Sequence, residues 1–317
     1  MITLSKIAQL AHVSVSTVSK AFSMSDEVHE DTRKLIFDIA KEHGCFKKYY
    51  KAKYPKHVIA IICNELRSSF YTTAISAIQD TLSHYNCEIC ITPSEFSHKT
   101  EEELIEYYTQ YAKVDGIIVM GRHDSDYSNS EIPIASLNKT NATIYLKHNN
   151  YKPILDFVGF LKAKNVSDIG YIGDTHTHGA MTHLTNALEE HNLPINDKFF
   201  ITVNERFEKG GYTAMNELFT KESLPRAILC SYDYLAIGAI RCIKEHGLKV
   251  PEDIAVMGMD NIEEDKYFTP SLSSIDRGYT EGAKLVAEAL AKHLLGIEHE
   301  TEFECISRVI YRESTNI

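Results

Sequence analysis

Most of the chain alternates short apolar runs with longer amphipathic stretches. Continuous apolar runs such as 58–63 and 116–120 have the length of strands, whereas 71–85 and 100–113 carry apolar positions at helical spacing. A second series of the same kind runs from 168 to 259. Apolar strands that alternate with helices predict parallel sheets covered on both faces. We therefore expect an α/β body of two lobes, with a ligand cleft at the carboxyl ends of the strands.

The second series predicts strands at 168–172, 199–203, 227–230 and 254–259 and helices at 179–190, 209–219 and 234–246. In the first series a further strand is expected at 87–92. After residue 259 the chain is expected to return to the first lobe through a helix at 279–295. One last strand is then predicted over 303–311.

Residues 3–43 predict three short helices. Thr3 and Ser14 are in position to cap the first and second helices. The third has Glu30 in its first turn and Gly44 as its stop. Two short helices joined by a tight turn and packed by a third form a helix-turn-helix unit, whose second helix enters the major groove of DNA.

The second helix has one face for the core and one for a partner. Val18 and Ala21 are the better core candidates, which leaves Val15, Ser16 and Lys20 facing outward. Side chains of these kinds can reach base edges, thymine methyl groups and phosphates. Hydroxyl side chains that can fix the register on backbone phosphates are Ser14, Thr17, Ser19 and Thr32. A purely structural three-helix unit is the alternative.

Charge divides the chain unevenly. The formal net charge is −11, yet residues 1–58 hold ten Lys/Arg and six Asp/Glu, while the remainder holds 23 and 38. Five of these lysines lie within 47–56. A basic head on an acidic body is expected when only the head approaches phosphates. A solvated linker would have the same composition.

The remaining composition predicts a cytoplasmic protein without membrane segments. The 317 residues suit two domains and an appendage, and no apolar stretch approaches the roughly 18–20 residues of a membrane span. The start lacks the pattern of a signal peptide, and seven scattered cysteines suit reduced thiols. The end at Ile317 has no heptad tail, so a tetramerising coiled coil is not expected.

No catalytic constellation or cofactor motif stands out, and no enzymatic activity is predicted. Cys87 and Cys90 form a lone C-x-x-C in a strand pattern, where they would face opposite sides. Three histidines crowd one loop and helix start, and we interpret them as lining a cleft rather than binding a metal: His176, His178 and His183.

The run 2–20 resembles the N-terminal domain of LacI-family transcriptional repressors, with Ala11-x-Val13-Ser14-x-x-Thr17-Val18-Ser19 as its most specific part. Segments 227–239 and 250–260 are similar to the periplasmic-binding-protein-like body of that family. The resemblance implies a DNA-binding head with hinge at 1–56 and an effector-binding and dimerisation domain at 57–317. It also implies a homodimeric repressor of a carbohydrate-use operon, which binds a pseudo-palindromic operator and a sugar or sugar-phosphate effector.

The resemblance assigns roles to several head residues. It places Val15, Ser16 and Lys20 at base-reading positions and makes the hydroxyl residues named above backbone contacts; Thr3 is counted with the DNA-binding residues. His12 stands where the family often has glycine, and we expect strain there if positive φ is needed. The hinge lacks the usual leucine wedge. By register Tyr54 takes its place, either as an intercalating ring or within a lysine-rich electrostatic arm.

Candidate effector residues follow the ends of the predicted strands. An aromatic ring can stack on a sugar, a cation can meet hydroxyl or phosphate groups, and a carboxylate can accept hydrogen bonds from hydroxyls. The candidates are Arg67, Phe70, Arg122, Tyr232, Asp233, Asp260 and Tyr279. The pattern 271–279 is similar to repressors that sense trehalose 6-phosphate, but Tyr232 replaces the family's usual asparagine.

One further departure concerns the helix after the 168–173 strand, where the family usually has an arginine that binds the effector. Residues 179–183 contain none. The resemblance therefore supports a neutral monosaccharide bound in the standard way less strongly than it supports the fold. A sugar-binding or sugar-processing protein with a vestigial head is the competing hypothesis.

Overall fold

The computed structural model describes residues 2–44, 57–121 and 126–317. The predictions for Tyr54 and Arg122 lie outside these ranges. None of the helices within them combines the length and the apolar character that a membrane span needs.

Three helices make up the head: α1 (Leu4–Leu10), α2 (Val15–Phe22) and α3 (Glu30–Glu42). Ile7, Val18 and Ile36 are fully buried between them and form the centre of a small core. Both predicted N-caps are confirmed, because Thr3 and Ser14 each accept a hydrogen bond from the backbone N–H three residues later. The head therefore folds around its own apolar contacts.

The first lobe is built on a parallel six-stranded sheet in the order β11-β5-β4-β3-β1-β2. Its strands are β1 (His57–Cys63), β2 (Cys87–Pro93), β3 (Gly116–Val119), β4 (Ile134–Ser136), β5 (Ile144–Lys147) and β11 (Glu302–Glu304). One face is covered by α4 (Ser69–Ser83) and α10 (Tyr279–Leu294). The other is covered by α5 (His98–Glu106) and the π-helical segment that continues it, Tyr107–Ala112.

Cys87 packs on the α4 and α10 side of this sheet and Cys90 on the opposite side. The alternation of side chains along a strand requires this for residues three apart. The prediction that the two thiols face opposite sides is confirmed.

The second lobe has a six-stranded sheet in the order β12-β10-β9-β8-β6-β7. Its strands are β6 (Ile169–Asp174), β7 (Phe200–Val203), β8 (Ala227–Cys230), β9 (Ala255–Met259), β10 (Ser273–Asp276) and β12 (Arg308–Ile310). They are parallel except for β12, which is antiparallel to β10. Four helices cover it: α6 (Tyr151–Ala163) and α7 (His178–Glu190) on one face, α8 (Phe207–Leu218) and α9 (Asp233–Glu245) on the other.

The chain crosses between the lobes three times, after β5, after β10 and after β11. The predicted return to the first lobe through a helix at 279–295 is confirmed by α10. The single strand predicted over 303–311 is wrong. That segment holds two three-residue strands, β11 and β12, which pair in different sheets because the chain changes lobe between them.

Candidate functional site

The surface of α2 presents the side chains predicted to meet DNA. Val18 and Ala21 are buried, whereas Ser16 and Lys20 are exposed and Val15 is 46% exposed. This confirms the predicted orientation of the helix. An exposed valine at the start of a helix that packs by its opposite face is free to contact a groove.

The turn before α2 is held in the left-handed region. His12 has φ 53°, a conformation that favours glycine, as expected for a residue that replaces the family's glycine. Its backbone N–H donates to the Gln9 carbonyl at 3.4 Å, and the next N–H donates to Ala8 at 3.0 Å. The tight turn between α1 and α2 is therefore closed despite the strain.

The remaining head candidates are held by local hydrogen bonds. The Ser14 hydroxyl oxygen lies 2.7 Å from that of Ser16 and 2.8 Å from that of Thr17. Lys20 forms an ion pair with Glu27 on the surface. Thr32 is half-buried on α3, and Ser19 is exposed. Contact of these side chains with DNA stays a prediction.

A cavity of ≈ 480 Å³ lies between the lobes, within the usual size of a small-molecule site. Residues at the carboxyl ends of strands of both sheets line it, as expected for parallel α/β sheets. The strand-end residues are Asn64, Glu65, Met120, Gly121, Asn138, Thr175, His176, Ser231, Tyr232 and Asp260. Arg206, which follows β7, and Arg277 and Tyr279, where the chain crosses between lobes, also line it.

Four of the predicted effector residues line this cavity: Phe70, Tyr232, Asp260 and Tyr279. The Phe70 and Tyr279 rings lie 4.5 Å apart between centroids and form one aromatic wall. Arg67 is not a wall residue; its guanidinium stacks over Phe207 at 4.2 Å and lies 3.5 Å from Glu208 of the other lobe.

Asp233 requires a correction, because the structure places its carboxylate inside the second lobe and not on the cavity wall. The residue is 1% exposed. It accepts hydrogen bonds from the Ser274 hydroxyl at 2.6 Å and the Ile262 backbone N–H at 3.1 Å. Its carboxylate therefore ties α9 to neighbouring loops and strands instead of facing a ligand.

Two arginines of the cavity were missed by the sequence interpretation. Arg206 follows β7 and donates from Nε to Asp174 at 3.2 Å. Arg277 follows β10 and lies 2.7 Å from Asp260. Arg206 follows a strand just as Arg67 does, so extending the strand-end rule to β7 would have found it.

Some of the backbone strain lies at this cavity. Three wall residues other than glycine have left-handed φ angles, namely Phe96 at 60°, Phe207 at 62° and Asp260 at 109°. Such conformations cost about 1–3 kcal/mol each and cluster at functional sites. Strained residues from both lobes therefore line the cavity, which is consistent with a ligand-binding site.

The two lobes are joined across one side of the cavity mouth. The Tyr234 hydroxyl accepts a hydrogen bond from the Ser69 backbone N–H at 3.1 Å. The Ser69 hydroxyl donates to Glu264 at 2.8 Å. Ser69 begins α4 of the first lobe, whereas its partners belong to the second, so the cleft is closed in this conformation.

A buried acidic cluster lies behind the cavity in the second lobe. Asp265 is fully buried, and Arg312 approaches it only to 3.8 Å. Burial raises the pKa of Asp265 to about 7, against the attraction of Arg312. Burial likewise raises the pKa of Asp260 to about 6, although Arg277 opposes this, and raises the pKa of Asp233.

These raised pKa values predict that the body loses stability as the pH increases. The folded state holds protons that the unfolded state releases, so the stabilisation is complete below about pH 4 and is lost as the pH rises through about 7. We expect Asp265→Asn to reduce the loss of unfolding free energy between pH 5 and 8 by about 1–3 kcal/mol. Urea unfolding at each pH, with exposed Asp168→Asn as the control, measures it. A variant that kept the wild-type pH slope would contradict the assignment.

A helix-turn-helix head joined to a two-lobed α/β body with a cavity defines the class of ligand-responsive DNA-binding regulators. Comparison with known proteins gives the family. Residues 3–46 match the profile described as "Bacterial regulatory proteins, lacI family", and residues 158–315 match "Periplasmic binding protein-like domain". The chain belongs to the LacI family and is a DNA-binding transcriptional regulator.

Similar curated proteins are repressors. The chain is 30% identical over 329 residues to the "Probable HTH-type transcriptional repressor ExuR" of Bacillus subtilis, covering 96% of this chain and 95% of that protein. It is 27% identical over 312 residues to the "Ribose operon repressor" of Haemophilus influenzae, covering 93% and 92%. The comparisons thus favour a regulator over the competing hypothesis of a sugar-processing protein.

Solved structures share the fold over almost the whole chain. A Lac repressor dimer bound to operator and the anti-inducer ONPF has a TM-score of 0.78 at 18% identity, covering 99% of each chain. A CelR–cellobiose complex has a TM-score of 0.70 at 20% identity, covering 99% of this chain and all of the other. These similarities confirm the architecture.

Proposed function

We propose that this protein is a cytoplasmic, homodimeric repressor that binds a pseudo-palindromic operator through its head and a sugar or sugar phosphate through its cleft. The observation that carries the proposal is the exposed face of α2, with Val15, Ser16 and Lys20 outward and Val18 inward. A helix packed in this way is positioned to enter the major groove. The regulated genes are those of a carbohydrate-use operon.

Dimerisation follows from the geometry of recognition. One head covers a half-site, and two heads related by a two-fold axis match a palindrome whose halves lie one helical turn apart. The Lac repressor structure with the same fold is itself a dimer on its operator. We propose the division into a head with hinge at 1–56 and a body at 57–317, with the lysines of 47–56 adding electrostatic attraction to phosphates.

The cavity supports a sugar-like effector. Aromatic rings such as Phe70 and Tyr279 offer stacking faces, and side chains such as Asn64, Asn138 and Asp260 offer hydrogen bonds. The named relatives include a ribose operon repressor. An effector that binds the closed cleft better than the open one shifts the body between two states and so changes the spacing of the heads.

The test is selection of bound fragments from genomic DNA by the full-length protein at near-physiological salt. We expect one enriched palindrome beside carbohydrate genes. Lys20→Gln is expected to weaken binding to it roughly 10-fold, the cost of one base or phosphate contact. Lys152→Gln on α6 of the body is the matched control. Diffuse binding without a palindrome, or equal affinity of both variants, would contradict the proposal.

A further inference from the structure

Two arginines face the closed cavity, and each is held in the same manner. A carboxylate fixes one nitrogen of the guanidinium group, and an aromatic ring supports its plane. Arg206 belongs to the second lobe and Arg277 to the segment that crosses between lobes. Stacking and a single-point ion pair restrict a guanidinium group while leaving its other N–H donors available.

Arg206 lies over the Phe96 ring at 3.8 Å and is also within 4.9 Å of the Phe207 ring centroid. Its Nε donates to Asp174, and neither Nη atom has a hydrogen-bond partner in the part of the chain that the structure describes. The side chain is 21% exposed. Phe96 belongs to the first lobe, so this stack forms across the cleft.

Arg277 lies over the Phe70 ring at 4.7 Å. Its Nη2 is 2.7 Å from Asp260. Its Nε is shielded from solvent and has no hydrogen-bond partner within the described residues. A buried donor without a partner is costly, which is a reason to expect a ligand acceptor at this position.

Each guanidinium group has one carboxylate partner, Asp174 for Arg206 and Asp260 for Arg277, so what remains for a ligand is the set of unused N–H donors. Asp174 already accepts hydrogen bonds from the Tyr232 hydroxyl at 2.9 Å, the His176 backbone N–H at 2.9 Å and the Thr177 hydroxyl at 3.1 Å. Glu65 is directed to the start of α4, where it accepts from the Ser68 N–H at 3.0 Å. Burial raises the pKa of Asp260 to about 6, against the attraction of Arg277.

We propose that the effector bound in this cavity carries an anionic group, a carboxylate or a phosphate, and that the free N–H donors of Arg206 and Arg277 bind it. The proposal rests on the proposed function only in taking the cavity as the effector site. A planar guanidinium group with two or more free donors suits the oxygen pairs of both anions. Arg206 would then supply, from the segment after β7, the cation that residues 179–183 lack.

Matched pairs of sugars test the proposal by calorimetric titration of the full-length protein. Glucuronate and galacturonate are compared with glucose and galactose, and glucose 6-phosphate is compared with glucose. We expect an acidic member to bind roughly 10- to 100-fold more tightly than its neutral parent, the range for hydrogen bonds to a charged group. Binding of the uronates identifies a carboxylate, whereas binding of the 6-phosphate identifies a phosphate.

Two variants connect the preference to the arginines. Arg206→Gln is expected to lower the affinity for the acidic ligand roughly 10- to 100-fold while changing that for a neutral sugar by less than about twofold. Asp174 keeps its other donors in this variant, so the fold should persist, and thermal unfolding verifies this. Arg277→Lys keeps the charge beside Asp260 but removes the planar donors. The control is exposed Arg241→Gln on α9.

Tighter binding of the neutral sugars, or no binding of any acid below about 10 mM, would overturn the proposal, as would full acid affinity in folded Arg206→Gln. Retention of operator DNA is measured separately on the same samples. If the wild-type protein without ligand did not bind the operator, the proposed function would be contradicted even if an acidic sugar bound in the cavity. If a neutral sugar released the protein from its operator, the proposed function would be supported and the proposal of an anionic effector would be contradicted.

Discussion

Replacing Ile36 by alanine is expected to abolish specific operator binding at 37 °C while leaving the body folded. Ile36 is fully buried at the centre of the head core, between Ile7 and Val18. Truncation of a buried isoleucine to alanine costs about 2–5 kcal/mol. A core of this size supplies little more than that, because a domain of a few dozen residues buries a smaller fraction of its surface than a large domain does. The loss should therefore unfold the head, so that α2 is no longer held in position to contact DNA.

Leu35→Ala is the matched control, since Leu35 precedes Ile36 on α3 and is 48% exposed. Operator affinity, measured by fluorescence anisotropy at 10 and 37 °C, should fall by more than 100-fold for Ile36→Ala at the higher temperature, a loss of about 2.7 kcal/mol. The control should stay within about threefold of wild type. Thermal unfolding of the body should be the same in all three proteins. Near-normal affinity of Ile36→Ala would show that the head core does not limit DNA binding.

The head illustrates what local patterns can predict. Its helices were defined by hydroxyl N-caps at Thr3 and Ser14, by apolar spacing, and by the positive φ of 72° at Gly44 that ends α3. These signals act within a few residues of one another, so one sequence contains them in full. The outward orientation of Val15, Ser16 and Lys20 followed from the same spacing, whereas the DNA contacts depend on a partner.

The body shows where such reasoning stops. The strand β1 was recognised by its continuous apolar run and the helix α7 by its helical spacing, but β4, with three residues, is too short to show either pattern. The segment 303–311 has the apolar content of one strand. Whether it pairs in one sheet or two depends on the distant β5 and β10, which no local pattern encodes.

The predictions for the cavity residues succeed and fail for the same reasons. Strand-end position placed Tyr232 and Asp260 on the wall, because the carboxyl ends of parallel strands converge there. The same rule misplaced Asp233, whose carboxylate turns toward Ser274 instead. Arg277 was missed because its role depends on the crossing between lobes, a tertiary feature without a local signature.

Close packing of α8 on α9 leads to the second large prediction. A Cβ at Gly211 would lie 1.9 Å from the Leu235 carbonyl oxygen, and a Cβ at Gly238 would lie 1.9 Å from the Glu208 carbonyl oxygen. Both obstacles are backbone atoms, so no side-chain rotation relieves the overlap. The helices must separate. We expect Gly211→Ala to cost about 3 kcal/mol, at the upper end for overpacking, and to lower the Tm of the body by roughly 5–10 °C.

The separation should also reach the cavity, because α8 follows Arg206 directly and α9 follows Tyr232. Loss of ligand affinity is therefore expected together with loss of stability. Gly179→Ala is the control: a Cβ there meets no atom within 4 Å, and alanine favours helix, so its Tm should be unchanged or slightly higher. Calorimetric unfolding and ligand titration of both variants measure the difference. Equal unfolding temperatures for Gly211→Ala and Gly179→Ala would contradict the prediction that α8 and α9 are too close to accept a methyl group at Gly211.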